Sequence, residues 1–108
     1  VKNRHSIIVD DMIDTAGTVV GAAELLKQRG ALSIRALASH GVLSPPAVER
    51  IAAAPIDELI ITNSLPLPED AENVEKITVL SVGPILAGAV SAIFADASVS
   101  DLFQGENI

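Results

Sequence analysis

Two adjacent carboxylates, Asp10 and Asp11, follow the apolar run Ile7-Ile8-Val9 and precede a loop of small residues, Asp14-Thr15-Ala16-Gly17-Thr18. The apolar run suits a buried parallel strand, and such strands deliver loops to the carboxyl edge of a sheet, where open α/β folds bind ligands. Residues 14–18 then present free backbone N–H groups at the start of a helix, a ready site for an anion. Ala16 and Gly17 are small enough for a phosphate to approach the main chain, and Thr15 and Thr18 add hydroxyl donors. The paired carboxylates would repel that phosphate. They suit a neighbour that donates hydrogen bonds, such as vicinal sugar hydroxyls. A phosphate nest beside a diol-binding acidic pair describes a ribose-phosphate site. If Asp and Thr served only as helix caps, one of them would suffice, and the acidic pair with its small-residue loop would have no purpose.

The string Ile7 to Thr18 closely resembles the ribose-phosphate signature of the type I phosphoribosyltransferase fold. Downstream, Ala38-Ser39-His40-Gly41 with Leu43-Ser44-Pro45-Pro46-Ala47-Val48-Glu49-Arg50-Ile51 resembles the ribose-phosphate pyrophosphokinase (PRPP synthetase) family. So do Ile61-Thr62-Asn63-Ser64-Leu65-Pro66-Leu67, Ile77 to Val82 with Pro84, and the terminal Ser98-Val99-Ser100-Asp101-Leu102-Phe103. The resemblance runs through essentially all 108 residues, in order.

What the resemblance implies is a diphosphokinase of nucleotide biosynthesis. It would move the β,γ-diphosphoryl group of ATP to the anomeric hydroxyl of ribose 5-phosphate, releasing AMP, with Mg²⁺ accompanying ATP. Asp14, Thr15, Ala16, Gly17 and Thr18 would hold the 5-phosphate, the role of the Asp14 carboxylate being left open. Asp10 and Asp11 would accept hydrogen bonds from the sugar hydroxyls and face the metal those hydroxyls share. Ser98, Val99 and Ser100 would belong to an allosteric site for ADP or phosphate at a subunit interface of a homo-oligomer of the hexamer-of-dimers type. In that family the loop cations, the ATP site and the metal-binding histidine lie upstream of the positions matched here. Residues 1–108 are therefore expected to be the C-terminal part of a phosphoribosyltransferase-like domain, with the N-terminal domain absent. On this expectation the piece holds no catalytic or metal-ligating residue and is inactive alone. Two alternatives stay open: a phosphoribosyltransferase using PRPP as donor, and a non-catalytic regulatory paralogue of the synthetase.

Composition bounds the reading. The net charge of −7 argues against nucleic acid or anionic membranes as partners. Phe94 and Phe103 are the only aromatics, too few for stacking single-stranded bases. There is no cysteine, hence no disulfide framework, in keeping with a cytoplasmic protein. The longest apolar run, Gly83 to Ala95, is 13 residues, short of the roughly 20 that a membrane helix requires.

Four strands are predicted, at Ile7–Val9, Ser33–Ser39, Glu58–Thr62 and Ile77–Val82, all β-branched or continuously apolar. Helices are predicted between and after them. Thr18–Arg29 carries Val19, Ala22, Ala23 and Leu26 on one face and is closed by Gly30. Ala47–Ala54 would be capped by Ser44, and Ile85–Ala95 would be opened by Pro84. Pro66, Pro68 and the acidic Glu69-Asp70-Ala71-Glu72 mark a loop without a full crossover helix. The alternation implies a three-layer α/β/α fold on a mainly parallel sheet with right-handed crossovers, truncated, with the first strand at an edge. His40 falls at the carboxyl end of the second strand and is expected to satisfy loop groups rather than bind metal. His5 is expected at the surface.

Overall fold

Four parallel strands lie side by side in chain order in the computed structural model, which describes residues 1–95. They are β1 (His5–Ile13), β2 (Ser33–Gly41), β3 (Glu58–Thr62) and β4 (Ile77–Leu80). Helix α1 (Gly17–Gln28) joins β1 to β2, and α2 (Ala47–Ala53) joins β2 to β3. Only a single 3₁₀ turn, Glu69–Ala71, punctuates the connection to β4, as the prolines and acidic residues there predict. Helix α3 (Gly83–Phe94) follows β4. Ser98, Val99 and Ser100 lie outside the described residues.

The core sits between α1, α2 and one face of the sheet. Ile34, Ala36 and Ala38 of β2 and Leu59 and Ile61 of β3 point into it, meeting Val19 and Ala23 of α1 and Val48 and Ile51 of α2. Their spacing of two along the strands and three or four along the helices is the periodicity that puts one side of each element inward. The α/β/α layering is truncated on the opposite face. There Ile7, Val9 and Leu80 are exposed, Val9 by 75%, and Leu37 and Ile60 are half-buried. Polar contacts are also built on this open face: Arg35 meets Glu58 at 3.4 Å, and the Thr78 hydroxyl donates to the Glu58 carboxylate at 2.8 Å. Ile85, Leu86, Val90, Ile93 and Phe94 of α3 are exposed as well.

Element ends differ from the predicted ones for local reasons. β1 continues past Val9 because its parallel register with β2 persists to Met12↔His40 and Ile13↔Gly41. The acidic pair is thus inside a strand, where an edge position lets charged side chains stay in water. β4 stops at Leu80 because the Val82 N–H is taken instead by the Asn63 side-chain carbonyl at 2.9 Å. Ser44 does not cap α2; Pro46 occupies the cap position and no side chain bonds the first turn. Gly30 does close α1, at φ 88°, with the Gly30 N–H on the Lys27 carbonyl and the Ala31 N–H on Leu26. Those two bonds are the Schellman pair that satisfies the last free carbonyls.

One tether was not foreseen from sequence. The Lys76 ammonium, just before β4, donates to the carbonyls of Ile51, Ala52 and Ala54 at 3.3, 3.0 and 2.8 Å. A cation at a helix C-terminus meets both the free carbonyls and the negative end of the helix dipole. Lys76→Met should therefore lower stability in urea unfolding by about 1–2 kcal/mol, whereas an equal midpoint for variant and wild type would show the tether to be idle. Gly41→Ala should cost about 1–3 kcal/mol by overpacking, because a Cβ there would lie 2.6 Å from Cδ1 of Ile61.

Candidate functional site

The β1–α1 connection lines a cavity of about 380 Å³ at the carboxyl edge of the sheet. Its wall is Asp10, Met12, Ile13, Asp14, Thr15, Ala16, Gly17, Thr18 and Val19. Six of the seven residues expected to bind ribose phosphate therefore converge on one space. Asp11 is not among them. Of the acidic pair, only Asp10 belongs to the wall, together with Met12 and Ile13 from the end of the same strand. The Asp10 carboxylate also accepts the Asp11 N–H at 2.8 Å, which fixes its orientation.

The floor of the cavity is backbone. Ala16 adopts φ 68°, ψ 7°, the left-handed region, and Gly17 begins α1. A left-handed residue followed by helical ones turns successive N–H groups into a concavity that suits an anion. No side chain caps this helix, and its first amide bond runs from the Val20 N–H to the Ala16 carbonyl at 3.0 Å. The N–H groups of Ala16, Gly17, Thr18 and Val19 thus have no intrahelical acceptor. Capping by Asp or Thr is excluded here. Left-handed geometry costs a non-glycine residue roughly 1–2 kcal/mol, and buried Ala16 is held in it by its surroundings. Gly17, by contrast, needs no unusual φ.

Two carbonyls of the loop are anchored on the side of the β2–α2 segment. The Ile13 carbonyl accepts the N–H groups of Val42 and Leu43 at 3.0 and 3.1 Å. The Thr15 carbonyl accepts Nη1 of Arg50, from α2, at 3.1 Å. Sequence reasoning placed Arg50 in a helix and gave it no further role. A contact spanning 35 positions leaves no trace in local spacing.

His40 lies one strand over, paired with Met12 in register. Its Nδ1 is 2.7 Å from the Ser64 hydroxyl, which itself donates to the Ser39 carbonyl at 3.2 Å. The Thr62 hydroxyl donates to the same carbonyl at 2.6 Å. His40 therefore ties the ends of β2 and β3 together through a side-chain hydroxyl, not through the loop backbone groups expected for it. Among the described residues, no three His, Asp or Glu side chains converge as a metal cluster. No described helix is long and apolar enough to cross a membrane.

Comparison with known proteins agrees with this geometry. Ribose-phosphate pyrophosphokinase of Mycobacterium leprae is 49% identical over 106 residues, covering 98% of this chain and 32% of the relative. That of Caldanaerobacter subterraneus is 52% identical over 103 residues, covering 95% and 32%. The crystal structure of phosphoribosylpyrophosphate synthetase from Mycobacterium smegmatis superposes with a TM-score of 0.86 at 45% identity, covering 90% of this chain and 32% of that one. The chain spans about a third of the length of the relatives it matches. Residues 1–104 match the family described as the phosphoribosyl synthetase-associated domain. With nearly its whole length covered by that match, the chain belongs to the phosphoribosyl synthetase-associated domain family.

Proposed function

We propose that this chain supplies the ribose 5-phosphate site of a ribose-phosphate diphosphokinase, an enzyme that makes 5-phosphoribosyl 1-diphosphate from ATP. The observation that carries the reading is the left-handed turn at Ala16, which leaves four uncapped amides facing a cavity with a carboxylate on its wall. The 5-phosphate takes those amides and the hydroxyls of Thr15 and Thr18. Asp10 accepts from the sugar hydroxyls. Asp11, directed elsewhere, contributes less to the sugar than Asp10 does. A volume of about 380 Å³ lies at the small end of ligand cavities, as a pentose phosphate requires.

The chain corresponds to the carboxyl-terminal third of such an enzyme, as the order of resembling segments suggests, and alone it does not turn over. ATP, and the cations that neutralise its phosphates, are met by parts of the protein beyond this segment. Mg²⁺ suits the donor set here, since it commonly takes one or two carboxylates and completes its shell with substrate oxygens and water. Asp10 would be the carboxylate to share with it, and the ion would supply charge neutralisation to phosphoryl transfer. Ser98, Val99 and Ser100 remain the proposed effector site for ADP or phosphate between subunits of a homo-oligomer in the cytoplasm.

Calorimetric titration of ribose 5-phosphate into the full-length protein tests the site. Asp10→Asn should weaken binding by roughly tenfold, the scale of a hydrogen bond to a charged group, and Asp11→Asn by clearly less. Equal losses for the two would overturn the division between them, and no loss for Asp10→Asn would remove the sugar from this cavity. The turn is tested by unfolding. Ala16→Val should cost about 2 kcal/mol, because a β-branched residue tolerates left-handed φ poorly. Ala16→Gly should stay within about 1 kcal/mol of wild type, strain relief being offset by the lost buried methyl and the looser unfolded chain.

A further inference from the structure

We propose that Arg50 is a positioning residue for the phosphate loop, and that position 17 is glycine to admit the Arg50 guanidinium. The inference rests on reading residues 14–18 as the phosphate site. Arg50 stands outside the cavity: it is not part of the wall, and it reaches the loop from behind, through the Thr15 carbonyl. Its effect on a ligand is therefore indirect.

The geometry says what that effect is. The Thr15–Ala16 peptide is trans, the sole cis bond described being Pro45–Pro46. In a trans peptide the carbonyl and the N–H point in opposite directions. Holding the Thr15 carbonyl toward α2 therefore turns the Ala16 N–H away from α2, toward the side where the cavity lies. The Ile13 carbonyl, held by Val42 and Leu43, does the same for the Asp14 N–H. The second anchor is backbone and survives any substitution of Val42 or Leu43 other than proline. The first depends on one side chain.

Gly17 completes the arrangement. A Cβ at that position would lie 3.3 Å from Nη1 of Arg50, the same nitrogen that bonds the Thr15 carbonyl at 3.1 Å. The methyl of an alanine would press on that nitrogen and lengthen its bond. Two explanations of the glycine thus compete: room for a ligand phosphate in front, or room for a guanidinium behind. The 3.3 Å approach to Nη1 is the contact on which the second rests. Arg50 also brings a full positive charge to the back of a loop in a chain with a formal charge of −7. Its planar fork suits a fixed carbonyl better than a lysine ammonium does.

A double-substitution cycle on the full-length protein separates the explanations. Gly17→Ala should weaken ribose 5-phosphate binding by about fivefold and Arg50→Ala by about tenfold, the scale of one charge-assisted hydrogen bond. The double variant should bind no worse than Arg50→Ala alone, since the added methyl then has nothing to displace. Losses that multiply to about fiftyfold would mean that Gly17 serves the ligand directly, and the proposal would fall. Arg50→Lys should recover part of the affinity and Arg50→Met none, whereas equal recovery by both would mean that Arg50 only fills space and would overturn the anchor. A ligand-free arm keeps this claim apart from the site reading. Hydrogen exchange of the Val20 amide, bonded to Ala16, should quicken about tenfold in Arg50→Ala, while that of buried Ala23, deeper in α1, stays unchanged. Unaltered Val20 exchange overturns the proposal whatever ribose 5-phosphate does. A wild type that takes no ribose 5-phosphate instead overturns the site reading, and the exchange result still decides whether Arg50 holds the loop.

Discussion

The four free amides at the start of α1 are the constraint on which the rest of this structure turns. A helix beginning without a side-chain cap leaves strong donors unsatisfied, and most helices cover them with Ser, Thr, Asp or Asn. Here suitable residues stand directly before the helix, at Asp14 and Thr15, yet none bonds back to it. The left-handed turn at Ala16 directs the chain so that the amides remain open, and the packing around Ala16 holds a conformation its side chain disfavours. Strain of this kind persists where the surroundings over-determine it.

What over-determines it is the β2–α2 segment. The end of β2 runs level with the end of β1, so Val42 and Leu43 reach the Ile13 carbonyl, and α2 lies where Arg50 can reach Thr15. α2 is in turn held at its other end by Lys76 on three carbonyls and along its length by Ala47, Val48 and Ile51 in the core. The loop is thus braced by a helix of seven residues that is itself fixed at its C-terminal end and along its core face. Such a short helix has little stability of its own. Its position comes from tertiary contacts, which then pass that rigidity to the loop.

The two faces of the sheet differ in kind. One is packed by α1 and α2 with small and branched residues, and the other carries exposed Ile7, Val9 and Leu80 together with ion-paired Arg35 and Glu58. Parallel sheets ordinarily have both faces covered. β3 and β4 carry the apolar runs Leu59-Ile60-Ile61 and Val79-Leu80, whereas β2 sets Ile34, Ala36 and Ala38 inward and Arg35 and Ser39 outward.

Much of this was legible along the chain. Strand and helix order, the parallel sheet in sequential order and the closure of α1 at Gly30 follow from apolar spacing and from the conformational freedom of glycine, which are local properties. The small residues and free amides of the β1–α1 loop were legible too, because they stand in one consecutive stretch. The tertiary structure decided the rest. It placed Asp10 in the cavity wall and left Asp11 out of it, although both stand in β1. It placed the unusual φ at Ala16 rather than at Gly17, and assigned Gly17 to a steric gap occupied by a side chain from another helix. It gave Arg50 and Lys76 their partners across 35 and 22 to 25 positions. Contacts over such separations depend on how the elements pack, and a single sequence encodes that packing only in the sum of all its residues, not in any pattern that can be read from one stretch.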